Sequence, residues 1–355
     1  MVANPPESTT AIRAAHRIDE GRLAGFLSEA LPDAEGEVVV RQFRGGQSNP
    51  TYWLGVGERA FVLRKKPPGA LLPSAHAVER EHRVIEALRD TDVPVARPRA
   101  LCLDESIVGT PFYVMDYVEG RIFWDARLSA MSAAERAAIY AEHVRVLAAI
   151  HRVDVDAVGL ASFGKRGGYV ARQVARWSKQ YEASRTGSVP AMEALMTHLA
   201  QHIPEGDETA LTHGDYRLDN LIFHPEEPRI LAVIDWELST LGHPLSDLAY
   251  VCMLHHVELP GIGGLLGNDS TKSGIPSEDD YIARDCELTG RPGVADFDYH
   301  EAFSLFRLAA IAQGVYKRSL LGNASSESAS RFGAAVAELA EVACARLGIG
   351  AGGTR

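Results

Sequence analysis

Residues 210–237, "ALTHGDYRLDNLIFHPEEPRILAVIDWE", interrupt a long run of helical sequence with two short apolar stretches, "NLIF" and "RILAVI", set among loops of His, Asp and Asn. A strand-loop-strand inserted there brings polar side chains into an interior, where they cost free energy unless they are paired or used. That requirement restricts the chain to folds that place such a hairpin where its polar ends can act.

What flanks the insertion narrows the choice further. Towards the N-terminus, "EVVVRQF", "TYWLGV" and "AFVLRK" read as strands, because β-branched and aromatic residues dominate them. The first two flank "RGGQSNP" and the last two flank "GE". A helix, "IDEGRLAGFLSEAL", precedes them with Asp19 as its cap. Another follows in "SAHAVEREHRVIEALRD", where Val78, Val84, Ile85 and Leu88 fall near helical spacing. "RALCLDE" and "PFYVMDYV" return to strand character. Beyond residue 118 the sequence changes to "SAAERAAIYAEHVRVLAAIHRV", "GYVARQVARWSKQYEAS" and "PAMEALMTHLAQHI", all helical. At 355 residues the chain exceeds one ordinary core. The expected organisation is a loose tail over 1–17, a sheet-plus-helix lobe over 18–118, a helical lobe over 119–347 and a second tail over 348–355, an α+β architecture.

Composition excludes several classes of function. A net charge of -11 argues against a nucleic-acid partner, because neutralising phosphates takes a surplus of Lys and Arg. No apolar run reaches the roughly 18 to 20 residues that span a bilayer, and "MVANPPESTTAIRAAH" lacks an apolar signal core, so a cytoplasmic location without a membrane partner is expected. Cys102, Cys252, Cys286 and Cys344 are too far apart in sequence for a zinc knuckle or redox pair. His243, His255 and His256 suggest zinc only superficially, since adjacent residues on a helix point about 100° apart. "GVGERA" joins two strands and "GIGAGG" has no room for a following helix, so neither is a dinucleotide fingerprint.

Within the insertion, Asp215 and Asn220 lie in a loop directly before "LIF", and Asp235 ends "AVI". An antiparallel hairpin turning at "HPEEP" brings Asn220 and Asp235 to the same end. An Asp and an Asn carbonyl are oxygen ligands of the kind a hard cation such as Mg²⁺ takes beside substrate phosphates. Asp215 is then left to face a hydroxyl.

This HxDxxxxN motif followed by "IDW" is similar to the aminoglycoside phosphotransferase and choline kinase family, which shares the protein kinase fold. The resemblance covers roughly residues 40 to 320. It implies a two-lobed fold with ATP and Mg²⁺ in the cleft, Asp215 orienting the acceptor hydroxyl, and Asn220 and Asp235 as metal ligands. By the same resemblance Arg217 touches the transferred phosphate, while His213 and Asp247 (in "GHPLSDLAY") brace the catalytic loop. The strand residue that grips the α- and β-phosphates is Arg64, with Lys65 in reserve, and its helix partner is Glu81, with Glu79 as fallback. Gly45, Gly46 and Ser48 match the loop over the nucleotide, with Asn49 a further donor. The main chain around Asp116 and Val118 matches the adenine-binding hinge.

The acceptor is a small molecule. In "YVARQVARWSKQY", Arg172, Arg176 and Lys179 form a basic stripe at i, i+4 and i+7, which attracts an anionic acceptor and repels a cationic aminoglycoside. "PSAHAVEREHRVIEAL", "YVARQVARW" and "DWELSTLGHPLSDLAY" also resemble the kinase-like domains fused to acyl-CoA dehydrogenases, which implies a link to acyl-CoA metabolism and a hydroxyacyl-CoA acceptor. An aminoglycoside or choline-type phosphotransferase, and a nucleotide-binding pseudokinase that transfers nothing, are the alternatives. "LPGIGGLLGNDSTKSG", residues 259–274, reads as a flap over the acceptor site.

Overall fold

The computed structural model describes residues 3–44, 49–67, 77–206, 208–259, 263–320 and 326–350. Two compact units account for the chain: residues 1–121 with 221–238, and residues 122–220 with 239–355.

The first unit is built on a six-stranded antiparallel sheet. Its strands are β1 (Thr9–Thr10), β2 (Val38–Phe43), β3 (Thr51–Val56), β4 (Arg59–Lys65), β5 (Pro98–Cys102) and β6 (Phe112–Asp116), in the order β1-β2-β3-β4-β6-β5. Alternation along the strands sorts the side chains. Tyr52, Leu54, Phe61, Leu63, Phe112 and Val114 form one buried face, covered by Leu23 and Leu27 of helix α1 (Glu20–Ala30) and by Val108 of the short helix α2 (Glu105–Val108). The residues between them point the other way, towards a helix over Val78–Leu88 whose Val78, Glu81, Val84, Ile85 and Leu88 are buried. Asp19 caps α1 as expected, its carboxylate accepting the Arg22 N–H at 3.0 Å.

Part of the expected N-terminal tail is ordered. Thr9 and Thr10 pair with Phe43 and Gln42, because the outer edge of β2 presents unpaired backbone groups that a passing segment satisfies. The Gln42 amide further donates to His16 Nδ1 at 2.7 Å.

The hairpin that interrupts the helices belongs to this same unit, not to the helical one. Leu221–Phe223 and Ile230–Val233 pair antiparallel, and the Val233 N–H donates to Pro94 O at 2.8 Å. Arg121 and Phe223 exchange two backbone hydrogen bonds of 2.8 Å. Gly120 makes that approach possible: a Cβ there would lie 2.2 Å from Phe223 O, so no other residue fits.

The second unit is helical. Its longer helices include Ala133–His151, Tyr169–Ser184, Pro190–Gln201, Phe297–Arg318 and Ser326–Arg346. Ser132 and Glu135 close a capping box at the start of the first. Phe303, Phe306 and Ala309 of Phe297–Arg318 share a core with Trp177, Leu195 and Leu339 from three of the others. Among the described residues no helix is long and apolar enough to cross a membrane. In the expected flap, Gly263–Gly264 pairs with Glu258–Leu259, and residues 260–262 lie outside the described residues.

An ionic cluster ties the last helix of this unit to its neighbours. His256 Nε2 lies 2.6 Å from Glu278 and 3.5 Å from the fully buried Glu301, and Arg346 pairs with both glutamates. His255 feels the charge of Glu278, but burial dominates and lowers its pKa. The hydrogen bonds to Glu278 and Glu301 outweigh burial and raise His256 to about 9. A histidine held charged in the fold stabilises it fully below its unfolded value near 6.5 and ceases to do so as pH rises through about 9. Partial exposure limits the effect, so stability is expected to fall by about 2 kcal/mol between pH 6.5 and 9.5. Denaturant unfolding of the wild type and of His256→Gln across that range checks this: the slope should be absent from the variant.

Candidate active site

The site residues of the first unit gather around one arginine. Strand β4 turns Arg64 towards the helix over Val78–Leu88, where its Nε lies 2.8 Å from Glu81 Oε2. Its Nη2 lies 2.5 Å from Asp235 Oδ1 and 3.7 Å from Glu237 Oε2. Lys65, the next residue, faces the opposite side of the sheet and donates to Val108 O at 2.6 Å. Alternation therefore chooses between the two cations, and Glu79 is occupied with Lys66.

Arg64 is 9% exposed and Glu81 1%, so this is a desolvated pair. Tyr113 donates to Glu81 Oε2 at 3.1 Å and Asn49 to its Oε1 at 2.7 Å. Burial pushes Glu81 up to about 7 against the pull of Arg64. Burial alone would lower Arg64, but Glu81 and Asp235 together raise it well above its ordinary value. The guanidinium remains charged. Asp235 itself stands in the left-handed region, φ 66°, at the end of the hairpin.

The second unit carries the HxDxxxxN residues His213, Asp215 and Asn220. A short ladder, Ala210–Thr212 with Thr240–Gly242, leads into the loop, and Gly214 adopts φ 85° between His213 and Asp215. The backbone N–H groups of His213 and Gly214 donate to the Asp247 carboxylate at 2.6 and 2.9 Å. His151 Nε2 lies 3.6 Å from the same carboxylate. Burial would raise Asp247, but the nearby His151 and His213 and the two backbone donors prevail and hold it below the usual range. Asp247 thus fixes the loop from beneath, and His213 contributes by accepting the Asp215 N–H on Nδ1 at 3.2 Å.

Asp215 is positioned by donors on both oxygens. Tyr250 O–H donates to Oδ1 at 2.7 Å, and Asn220 Nδ2 donates to Oδ2 at 3.1 Å and to the backbone carbonyl at 2.8 Å. Arg217 places Nε 3.5 Å from Asp215 Oδ1 and Nη2 2.7 Å from Asp219. Arg307, from Phe297–Arg318, donates to Gly214 O at 2.6 Å and stacks over Tyr250 and Trp177.

Each unit by itself offers an oxygen of the kind a hard divalent cation takes. Asn220 uses its amide nitrogen on Asp215, which leaves the carbonyl oxygen as a ligand. Asp235 uses Oδ1 on Arg64, which leaves Oδ2.

Other expected residues are placed differently. The Asp116 N–H already donates to Arg97 O at 2.9 Å, because a bulge in the β5/β6 pairing brings that carbonyl to it, and its carboxylate is held by Arg99. Arg172 points both terminal nitrogens at the carbonyls of Gly167 and Lys165, which closes its helix's first turn, so it does not continue the stripe of exposed Arg176 and Lys179. Gly45, Gly46 and Ser48 lie outside the described residues. Tyr250, Arg307, His151 and Glu237 were not expected. Tyr250, Arg307 and His151 reach the Asp215 loop from distant elements with no local motif, Glu237 stands two residues after Asp235, and Asn49 was signalled by its place in "RGGQSNP".

Residues 39–268 match the family described as Phosphotransferase enzyme family. A crystal structure of a candidate aminoglycoside phosphotransferase from Ralstonia eutropha is 48% identical with a TM-score of 0.86, covering 93% of this chain and 98% of that one. A thermostable mutant aminoglycoside phosphotransferase, solved with AMP-PNP and hygromycin B, is 17% identical with a TM-score of 0.57, over 90% and 98% of the two chains, and shares the fold. Acyl-CoA dehydrogenase family member 10 of Mus musculus is 47% identical over 95% of this chain but only 32% of its own length. The chain spans about a third to just under half of the curated relatives it matches. On its motif, its α+β kinase-like fold and these matches, the chain belongs to the phosphotransferase enzyme family.

Proposed function

We propose that this chain transfers the terminal phosphoryl group of ATP to a hydroxyl of a small molecule. The observation that carries the reading is the Asp215 carboxylate, set by Tyr250 and Asn220 in a loop anchored on buried Asp247. Asp215 orients the acceptor hydroxyl and takes its proton as the oxygen bonds to the γ-phosphorus and the bridging oxygen leaves with ADP. Arg217 offsets negative charge on the transferred group. Arg64, held by Glu81, steadies the α- and β-phosphates, and the Val118 main chain binds adenine. Asn220 and Asp235 hold Mg²⁺, which when bound neutralises phosphate charge. Positioning and charge compensation supply most of the acceleration in such reactions.

The acceptor is a hydroxyacyl-CoA. Relatives named as acyl-CoA dehydrogenase family members support it, and exposed Arg176 and Lys179 supply charge for an anionic group. Phosphate transfer from ATP to hydroxyacyl-CoAs, choline and aminoglycosides tests this, with Arg176→Ala plus Lys179→Ala as the comparison. Turnover confined to choline or aminoglycosides ends the acyl reading.

A pseudokinase remains the second reading because Arg64 is engaged by three carboxylates, Glu81, Asp235 and Glu237. ATP-Mg²⁺ stabilisation in thermal melts without phosphorylation of any acceptor would favour it.

A further inference from the structure

Arg307, on the helix Phe297–Arg318, is half-buried and has no carboxylate partner among the described residues. The chain holds 47 acidic against 36 basic side chains, and Arg217 in the same unit does find an acid, Asp219. What holds Arg307 instead is neutral. Its guanidinium carbon lies 5.5 Å from the centre of the Tyr250 ring and 5.6 Å from that of Trp177, and Nη2 donates to Gly214 O at 2.6 Å. Rings and carbonyl fix the plane of the guanidinium without neutralising it. The carbonyl uses only one of its N–H bonds. Nε is buried with no hydrogen-bond partner, and Nη1 makes no hydrogen bond to a described residue.

Its place gives that charge a use. Gly214 directly precedes Asp215, and the Tyr250 ring beneath the guanidinium is the one whose hydroxyl donates to Asp215 Oδ1 at 2.7 Å. A positive charge therefore stands one ring away from the carboxylate that faces the acceptor hydroxyl. Trp177 carries a second guanidinium, that of Arg176, 5.6 Å from its ring, exposed and also without an ion pair among the described residues. A planar fork held in one orientation and left unneutralised suits the paired oxygens of a carboxylate or phosphate.

We propose that Arg307 binds an oxyanion of the acceptor and so places the acceptor's hydroxyl against Asp215, which makes Arg307 a specificity-determining residue. The inference deepens the reading of the chain as a kinase for hydroxyacyl compounds and rests on it for the acceptor's identity. The oxyanion is the carboxylate of a free hydroxy acid or a phosphate of the CoA moiety, since both present the same paired oxygens. A polycationic aminosugar would meet like charge there.

Binding is tested first, without ATP. Titration of the intact chain with butyrate and with butyl phosphate is expected to change tryptophan emission saturably, because Trp177 lies against the guanidinium, while 1-butanol has no such effect. Arg307→Met should weaken the oxyanion binding about tenfold or more, the equivalent of one charge-assisted hydrogen bond. Kinetics with ATP then use hydroxyhexanoate, hydroxyhexanoyl-CoA and the neutral methyl ester of hydroxyhexanoate, with the hydroxyl at successive positions. Arg307→Met should raise the KM of the charged acceptor about tenfold, with the KM values of the ester and of ATP unchanged. A rise for hydroxyhexanoate identifies the carboxylate, and a rise for hydroxyhexanoyl-CoA alone identifies the CoA phosphates. Arg307→Lys carries the same comparison should the methionine variant melt early, because it keeps the charge and loses only the fork. No saturable change with either oxyanion in the wild type overturns the proposal, and so does unchanged oxyanion affinity in Arg307→Met. A loss of kcat shared equally by ester and charged acceptors also overturns it, since Arg307 would then only hold the Gly214 carbonyl. Oxyanion binding that depends on Arg307, without phosphorylation of any acceptor, would leave the anion site standing and sink the kinase reading. Phosphorylation of hydroxyhexanoyl-CoA with a KM indifferent to Arg307→Met would do the reverse.

Discussion

Asp215→Asn is expected to lower kcat about 10³-fold while leaving the thermal shift produced by ATP and Mg²⁺ intact. The substitution keeps size and shape but removes the charge that accepts the hydroxyl proton. The loop should survive it, because its anchor is Asp247, which takes the His213 and Gly214 N–H groups and makes no use of the Asp215 side chain. Tyr250→Phe isolates orientation from charge: it removes the 2.7 Å donor to Oδ1 and is expected to cost about tenfold in kcat. Steady-state kinetics at saturating acceptor measure both. A kcat for Asp215→Asn within tenfold of the wild type would remove Asp215 from the reaction.

The second large effect concerns stability. Arg64→Met should destabilise the protein by about 3–5 kcal/mol, because it strands a carboxylate that is 1% exposed. Tyr113 and Asn49 still donate to Glu81, but neither carries charge. Adding Glu81→Gln should restore much of the loss, since the remaining group is neutral. The pH dependence has a definite sign. Burial raises Glu81 to about 7 even beside Arg64, and without the arginine it rises further. Keeping Glu81 protonated in the fold relieves the variant at low pH, so its deficit is smallest below about pH 4.5 and widens as pH rises through 7. Denaturant unfolding at pH 5 and pH 8.5 measures this. A loss below about 1 kcal/mol at both would mean that the pair is solvated after all.

These residues differ in how far the sequence exposed them. Arg64 and Lys65 were both candidates because each follows the apolar run of β4, and only the face chosen by the strand's neighbours separates them: Lys65 meets Val108 O, Arg64 meets Glu81. Asp215, Asn220 and Asp235 were legible because their spacing is short and their loops are hydrophilic among apolar runs. Tyr250 and Arg307 lie 35 and 93 positions from the groups they bind, on helices whose sequence says only that they are helices. Arg172 misled for the opposite reason. Its spacing placed it on a stripe, but at the start of its helix Arg172 instead donates to the carbonyls of Lys165 and Gly167 in the segment that leads into the helix.

By itself the sequence determined the α+β class, the position of the interrupting hairpin, and the set of oxygen-bearing side chains at its ends, because strand and helix periodicities and loop motifs are local properties. Tertiary structure alone decided that the hairpin joins the sheet-bearing unit, that Arg64 serves three carboxylates, and that Tyr250 sets Asp215. Those outcomes depend on desolvation and on contacts between elements far apart in the chain, and neither is encoded in any single window of residues.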